Sequence, residues 1–375
     1  MNAIINDMYV AERQAFADLA RDFCSKRLIE GREERDRYPF GGLMEEAIGD
    51  AAAVGFYGIN SPVDYGGVEM NATMLASILE RISREDAGMA AIIFANAAAL
   101  EVLRVAAEQT GCADVYGRIH SLGTAPIAFQ SYAGPEECEL PTVDAHSLMS
   151  GGVGFLALAP IAEYAVIPAR HGAGARYAYY LVALASEGVR VHDPIVSLGL
   201  RGCPAADVTF ERVPATLIGT GDGPGYFDSM RASLSIAAAA ISLGILKGSL
   251  RDAMRYAADR YQGGRQIIDW GQVRMMLANM AVEERIAEAC LDTAYRELDS
   301  GMPGWQLTAL AAAIHVGELA VRATADGVQL FGGNGYTKDY PQEKRMRDAR
   351  QAQCLLGMAP LRKMALVDRV IEERL

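Results

Sequence analysis

Val328-Gln329-Leu330-Phe331-Gly332-Gly333-Asn334-Gly335-Tyr336, running on through Asp339-Tyr340-Pro341 to Arg347-Asp348-Ala349-Arg350, is the stretch on which the reading of this chain turns. Three glycines in four residues follow a long apolar segment of helical pattern. Backbone without Cβ atoms can turn sharply and lets another group come close to its N–H and C=O groups. Pro341 and the charged residues behind it open a further helix. A lone Gly-Gly-Asn-Gly is most often a plain helix–turn–helix corner. The longer string is far more specific.

Outward from that turn, everything from about Phe227 to the end reads as helix. Four segments, roughly 228–262, 271–300, 304–330 and 341–374, are separated by Gly263-Gly264, by Gly301-Met302-Pro303-Gly304 and by the glycine turn itself. Long helices joined by short breaks make a four-helix bundle. From about Thr124 to Gly219 the texture changes to short runs of β-branched and aromatic residues. The runs 125–133, 164–169, 177–185, 189–191 and 208–213 read as strands. Before them the chain is helical again. Phe16, Leu19, Ala20 and Phe23 recur at helical spacing, Asn71 is a candidate N-cap, and the segment from Ala87 has almost no polar face, as a central helix would. The expected fold is α+β: an N-terminal α-helical domain (1–122), a middle β domain (123–222) and a C-terminal helical bundle (223–375).

Composition removes several function classes. A net charge of −12 with no basic stripe argues against nucleic-acid binding. The six cysteines form no CxxC pair and no zinc spacing, so no metal is expected and the thiols read as reduced, in a cytoplasmic protein. Met1-Asn2-Ala3-Ile4-Ile5-Asn6-Asp7 is neither a basic nor an apolar leader. The apolar run 87–103 is interrupted by Asn96 and carries Glu101, which suits a buried helix better than a membrane span.

The string from Val328 to Arg350 resembles the C-terminal signature of the acyl-CoA dehydrogenase family of flavoproteins. Pro62…Tyr65-Gly66-Gly67, Leu198-Gly199-Leu200-Arg201, Asp207 to Pro214, and Gly221-Asp222-Gly223-Pro224-Gly225-Tyr226 are similar to other family segments in the family's order. The resemblance therefore covers the whole chain. It implies the acyl-CoA dehydrogenase-like fold and a homodimer or homotetramer. It also implies an acyl-CoA or acyl-carrier thioester as substrate, with electron-transfer flavoprotein as acceptor. The cofactor it implies is FAD, lying between the β domain and the bundle and reaching the turn of a neighbouring subunit. A Rossmann GxGxxG is absent from the sequence, which agrees with such a site.

Tyr256…Arg260-Tyr261-Gln262-Gly263-Gly264 resembles the family's R-x-x-F-G corner, with Gly263 standing where phenylalanine is usual. Taken alone, Arg260 is a solvated arginine at a helix C-terminus, favoured by the dipole. With Gln262, Gln329, Gly332 and Gly333 at matching positions, the resemblance makes it a charged fork for the FAD pyrophosphate. The β-domain half matches less well. Phe129-Gln130-Ser131-Tyr132-Ala133-Gly134-Pro135-Glu136-Glu137 replaces the family's T-E-P-x-x-G-S-D segment. Phe155 and Ala157 replace a tryptophan-x-threonine pair that covers the flavin ring. Phe155 can still stack, but Ala157 has no hydroxyl.

Dehydrogenation of a thioester needs a carboxylate to take the α-proton. Gly357 anchors the usual glutamate position at Leu356. The other position used in the family, anchored on Ala239, Ala240 and Gly244, falls at Leu234 and Ser235, beside Met230. Arg231 lies one turn before Ser235 on the same helix face, so these two are the candidate substrate contacts. Asp228, Tyr226 and Cys354 are possible substitutes for the base. Each also has a bland reading, respectively as a helix cap, a packing residue and a small buried thiol. Arg84-Glu85-Asp86 reads as a solvated turn or a contact for an acidic substrate. Three functions stay open: thioester oxidoreduction with a non-standard site; base-independent flavin chemistry such as desulfination, oxygenation or nitroalkane oxidation; and a non-catalytic subunit in a hetero-oligomer with a related chain.

Overall fold

The computed structural model describes residues 2–37, 42–63, 67–110, 126–171 and 176–374. Tyr65-Gly66, Cys112, Ala125 and the expected domain boundary at 122/123 lie outside them. Helices come first: α1 (Asn2–Arg27), α2 (Arg32–Arg35), α3 (Gly42–Val54), α4 (Ala72–Glu85) and α5 (Ala87–Thr110). A sheet follows, of β1 (Ala128–Phe129), β2 (Thr142–Val143), β3 (Leu148–Ala157), β4 (Tyr164–His171), β5 (Tyr177–Ala183), β6 (Val189–Pro194), β7 (Ala205–Pro214) and β8 (Thr216–Leu217). The helical remainder is α6 (Gly223–Asp259), α7 (Gly271–Asp299), α8 (Trp305–Phe331), α9 (Gln342–Ala352) and α10 (Ala359–Arg374). A two-stranded hairpin, β9 (Tyr261–Gln262) and β10 (Arg265–Gln266), links α6 to α7.

Asn71 caps α4 as expected, its side chain accepting the Met74 N–H at 2.9 Å. That helix buries Met74, Leu75, Ile78, Leu79 and Ile82 along one stripe and packs on α6. The close approach has a local cause: a Cβ on Gly244 or Gly248 would overlap the backbone of α4. Earlier on α6, Ala237 to Ala240 are all buried. By length and composition, Ala87–Glu108, Gly223–Asp259 and Trp305–Tyr336 are apolar enough to cross a membrane. The fold already buries 94%, 89% and 61% of their most apolar windows, so the first two need no other apolar surroundings.

The eight-stranded sheet runs β6-β7-β3-β1-β4-β5-β8, and β2 also pairs with both β3 and β4. The long strand β3 escaped the sequence reading because Gly151, Gly152 and Gly154 dilute its pattern. They serve the pairing with β7, which is bulged between Met149 and Gly151 and between Val153 and Leu156. Gly151 adopts φ +115° at the first bulge. Conversely, the expected strand over 125–133 is paired only at Ala128 and Phe129.

The fourth bundle helix is not continuous. It stops at Ala352 and restarts at Ala359. Between them Leu356 and Gly357 take φ +63° and +121°, conformations no helix contains. Leu356 is not a glycine, so its left-handed backbone is strained and must be held by its surroundings. Ahead of this break, the Arg347-Asp348 pair joins the three parts of the fold. Asp348 accepts the Leu200 N–H at 2.6 Å and pairs with Lys344 at 2.6 Å. Lys344 reaches Asp86 at 3.6 Å, Asp86 pairs with Arg35 at 3.0 Å, and Arg347 pairs with Asp36 at 2.7 Å. The 84–86 segment is therefore not a solvated turn. Asp86 is 2% exposed, and burial favours its neutral form, but Lys344 and Arg35 outweigh that and hold its pKa low. Glu85 pairs with Arg251.

Candidate functional site

Two places collect the residues singled out in the sequence. The first is the corner between α6, the β9–β10 hairpin and the end of α8. A cavity of about 690 Å³ opens there, lined among others by Tyr256, Arg260, Gln262, Trp270, Phe331, Gly332 and Gly333. Its floor is rigid. Tyr256 stacks on Phe331 with ring centroids 3.9 Å apart, and its hydroxyl accepts the Asn334 amide at 2.9 Å. Arg260 caps α6, and its guanidinium makes no hydrogen bond or ion pair among the described residues.

The glycines here differ in purpose. Gly332 has φ +58°, which disfavours any side chain, and a Cβ on Gly335 would overlap the Val328 carbonyl. Gly333 has neither constraint: a Cβ there meets nothing within 4 Å. The backbone there is left open on the cavity side. Gly263 and Gly264 form the two-residue hairpin turn with φ +68° and +89°. A side chain at Gly263 would also press on the Trp270 ring, 3.0 Å from its Cβ, which accounts for the missing phenylalanine. Gln329 is exposed and contributes its carbonyl to cap Gly332, but it does not line the cavity. Trp270 and Gln272, which do line it, were not found from sequence, because nothing in a helix start marks it as facing a turn 60 residues later.

A long anionic cofactor fits this corner: an uncommitted guanidinium, a bare glycine backbone and an aromatic floor surround open space. Arg260 and Gln262 would hold phosphate and hydroxyl groups there, with the Gly332-Gly333 backbone alongside.

The second place is the junction of the sheet with the 353–358 break. Leu356 is 2% exposed and Leu234 1% exposed, so both positions expected for a base are apolar and packed. The Leu356 N–H is donated to the Ser131 carbonyl at 2.7 Å, which holds the strained residue in place. Phe155 is half-buried with φ +53° and meets Tyr132 edge-on at 5.2 Å. Ala157 is fully buried inside the sheet, paired to both Phe129 and Ala205. The sheet half therefore fits a flavin ring less well than the corner fits phosphates. Two buried polar atoms, Gln130 Oε1 and Ser131 Oγ, nonetheless have no hydrogen-bond partner among the described residues.

The substitutes proposed for the base fall apart as a group. Asp228 is not the cap of α6; Asp222 is, accepting the Gly225 N–H at 3.2 Å. Asp228 sits half-exposed in the second turn, paired with Arg231 at 2.7 Å. Tyr226 is buried, and its hydroxyl accepts the Thr220 N–H at 2.9 Å, pinning the loop before the helix. Burial raises the Cys354 thiol pKa, so it is no thiolate at neutral pH. Ser235 is buried and bonded to the Arg231 carbonyl at 2.6 Å, which leaves Arg231 as the polar side chain on that face. The carboxylate that reaches the break is one the sequence did not reveal. Glu137, from the sheet domain, accepts the Met358 N–H at 3.1 Å.

Comparison with known proteins agrees with this layout. Residues 226–371 match the model of the acyl-CoA dehydrogenase C-terminal domain, and residues 11–110 that of the acyl-CoA dehydrogenase N-terminal domain. The chain is 28% identical over 356 residues to the probable acyl-CoA dehydrogenase FadE25 of Mycobacterium tuberculosis, covering 89% of this chain and 88% of that protein. It is 26% identical over 390 residues to the caffeyl-CoA reductase–Etf complex subunit CarC of Acetobacterium woodii, covering 98% and 100%. The FAD complex of PigA shares the fold, with TM-score 0.84 at 19% identity over 96% of this chain and 97% of that one.

Proposed function

The chain belongs to the acyl-CoA dehydrogenase family, and we propose that it is an FAD-dependent oxidoreductase of an acyl thioester or similar compound with a non-standard active site. The observation that carries the cofactor is the open corner, where the Arg260 guanidinium has no partner among the described residues and the Gly332-Gly333 backbone faces empty space. Bound flavin would supply a hydride acceptor for the β-carbon of such a substrate. The chain's own residues orient it. Arg260 and Gln262 grip the cofactor's polar end. Leu356 and Leu234, both buried, put apolar side chains at the two positions where the resemblance expects a base.

The corner makes functional sense only if a second subunit brings its cofactor to it. Exposed apolar stripes on the bundle supply the surfaces. Met275, Val282 and Ile286 run along α7, and Leu361, Met364, Val367 and Ile371 along α10, all more than 40% exposed. We take the assembly to be a homodimer or homotetramer. Electron-transfer flavoprotein is the acceptor this reading implies, in keeping with the name of the CarC relative. The localisation it fits is cytoplasmic.

One observation favours a second reading, in which the chain is a non-catalytic subunit completing the FAD site of a related partner. The corner is open, while the junction carries the apolar side chains of Leu356 and Ala157 at two positions where the resemblance expects functional groups. Purifying the protein alone and recording its visible spectrum tests both. A stoichiometric flavin spectrum supports the first reading. Flavin that appears only on co-expression with a glutamate-bearing relative supports the second.

A further inference from the structure

Arg362, in the first turn of α10, is 3% exposed. Among the described residues it forms no ion pair within 4 Å. One arm, Nη2, donates to the Gln353 carbonyl at 2.6 Å, while the buried Nε–H has no acceptor among the described residues. A buried charge is normally paired or coordinated, because desolvation costs several kcal/mol. The other charged groups in this region do not relieve it. Arg231 is a like charge, already matched by Asp228. Burial lowers the Arg362 pKa, and Cys354 and Glu137, which favour its charged form, do not offset that; Glu137 accepts the Met358 N–H and forms no ion pair with the guanidinium among the described residues.

Its position is informative. The Arg362 side chain lies against Gly357, with Cγ 3.7 Å from where a Cβ would sit, next to the strained Leu356. Across that residue, Ser131 receives the Leu356 N–H on its carbonyl, and its own buried hydroxyl has no partner. Two buried donors without acceptors, one of them charged, therefore flank the same two residues.

We propose that Arg362, with the Ser131 hydroxyl, forms a subsite for a carboxylate carried by the protein's small-molecule ligand. On the thioester reading of the preceding section, from which the carrier is taken, the ligand is an acyl thioester whose acyl chain bears a second, free carboxylate. A guanidinium fork matches that group in shape and charge, and an uncharged acyl chain would leave it bare.

Calorimetric titration of the purified protein with succinyl-CoA and butyryl-CoA tests the subsite. The parent protein should bind the succinyl ester more tightly, on the order of 10- to 100-fold, as expected for a hydrogen bond to a charged group. Arg362→Met should erase that preference. Arg362→Gln, which keeps polar contacts, serves where the methionine variant does not fold. Equal affinities in the parent, or a preference that survives both variants, overturns the assignment. If neither thioester binds, the thioester reading fails, and free succinate becomes the probe. Succinate binding that depends on Arg362 then upholds the carboxylate subsite. Binding that does not, or no binding, overturns it as well.

Discussion

The backbone N–H of Leu356 is bonded to the carbonyl of Ser131 at 2.7 Å, across the boundary between the bundle and the sheet. This bond, and not a helix, holds Leu356 at φ +63°. It places an apolar side chain where the family's glutamate is expected.

The first consequence is catalytic. The protein alone should desaturate ordinary saturated acyl-CoA substrates far below a family-like rate, since general-base catalysis typically contributes about 10²–10⁴-fold. Anaerobic flavin bleaching with a panel of saturated acyl-CoAs measures this. Leu356→Glu should raise the rate, because burial raises the new carboxyl's pKa and makes it a stronger base once ionised. Fast bleaching by the parent would contradict the claim. Glu137→Gln would then show whether the carboxylate at Met358 is the base in use.

Cofactor retention should depend on Arg260. Arg260→Ala removes a charge-assisted contact worth about 1.5–3 kcal/mol, so flavin should be lost on dialysis at least ten-fold more readily. Gly333→Val should do the same without changing the fold, because a side chain there meets open space in the isolated chain. A variant pair that keeps its flavin as well as the parent would remove the corner from the binding site.

Stability should hinge on Asp86. Asp86→Asn leaves Arg35 uncompensated in a site where both partners are 2% exposed, a loss of about 3–5 kcal/mol for a broken buried pair. Its pH dependence has a definite sign. The folded-state pKa of Asp86 is depressed, so its contribution is present above the unfolded value of about 3.9 and is lost as pH falls through the lower folded value. Asp252 is shifted the same way: burial raises its pKa, and Arg345 and Arg251 more than reverse that. The gap between parent and variant, measured by denaturant unfolding, should therefore be full at pH 7 and narrow below about pH 4. A constant gap across that range would assign the effect to packing.

Assembly is the fourth expectation. The stripes on α7 and α10 should be covered, and light scattering should find a dimer at least. Val282→Glu should shift the population towards smaller species. A stable 40.2 kDa monomer that retains flavin would refute the shared-site reading.

Much of this architecture is legible in one dimension, because it is periodic. The apolar stripe of α4, the all-round apolar α5, the Asn71 cap and the glycine turn after Phe331 are local patterns with local physical causes. Residues 256–264 and 328–336 could be joined into one corner because the family's motifs specify both. Other features depend on partners remote in sequence. β3 is a strand because β7 lies beside it, despite its glycines. The fourth bundle helix breaks because Ser131 captures the Leu356 N–H, a partner 225 residues earlier. Asp86 looks solvated until Arg35 and Lys344 close on it, and Glu137 and Arg362 look like ordinary surface charges until the sheet and bundle meet around Gly357. Composition and spacing determined most of the elements and their order, and the family resemblance pointed to the corner as a cofactor site. Which polar groups are buried, which of them find partners and which are left for a ligand was decided only by tertiary contact, because desolvation and pairing depend on neighbours that the linear order does not reveal.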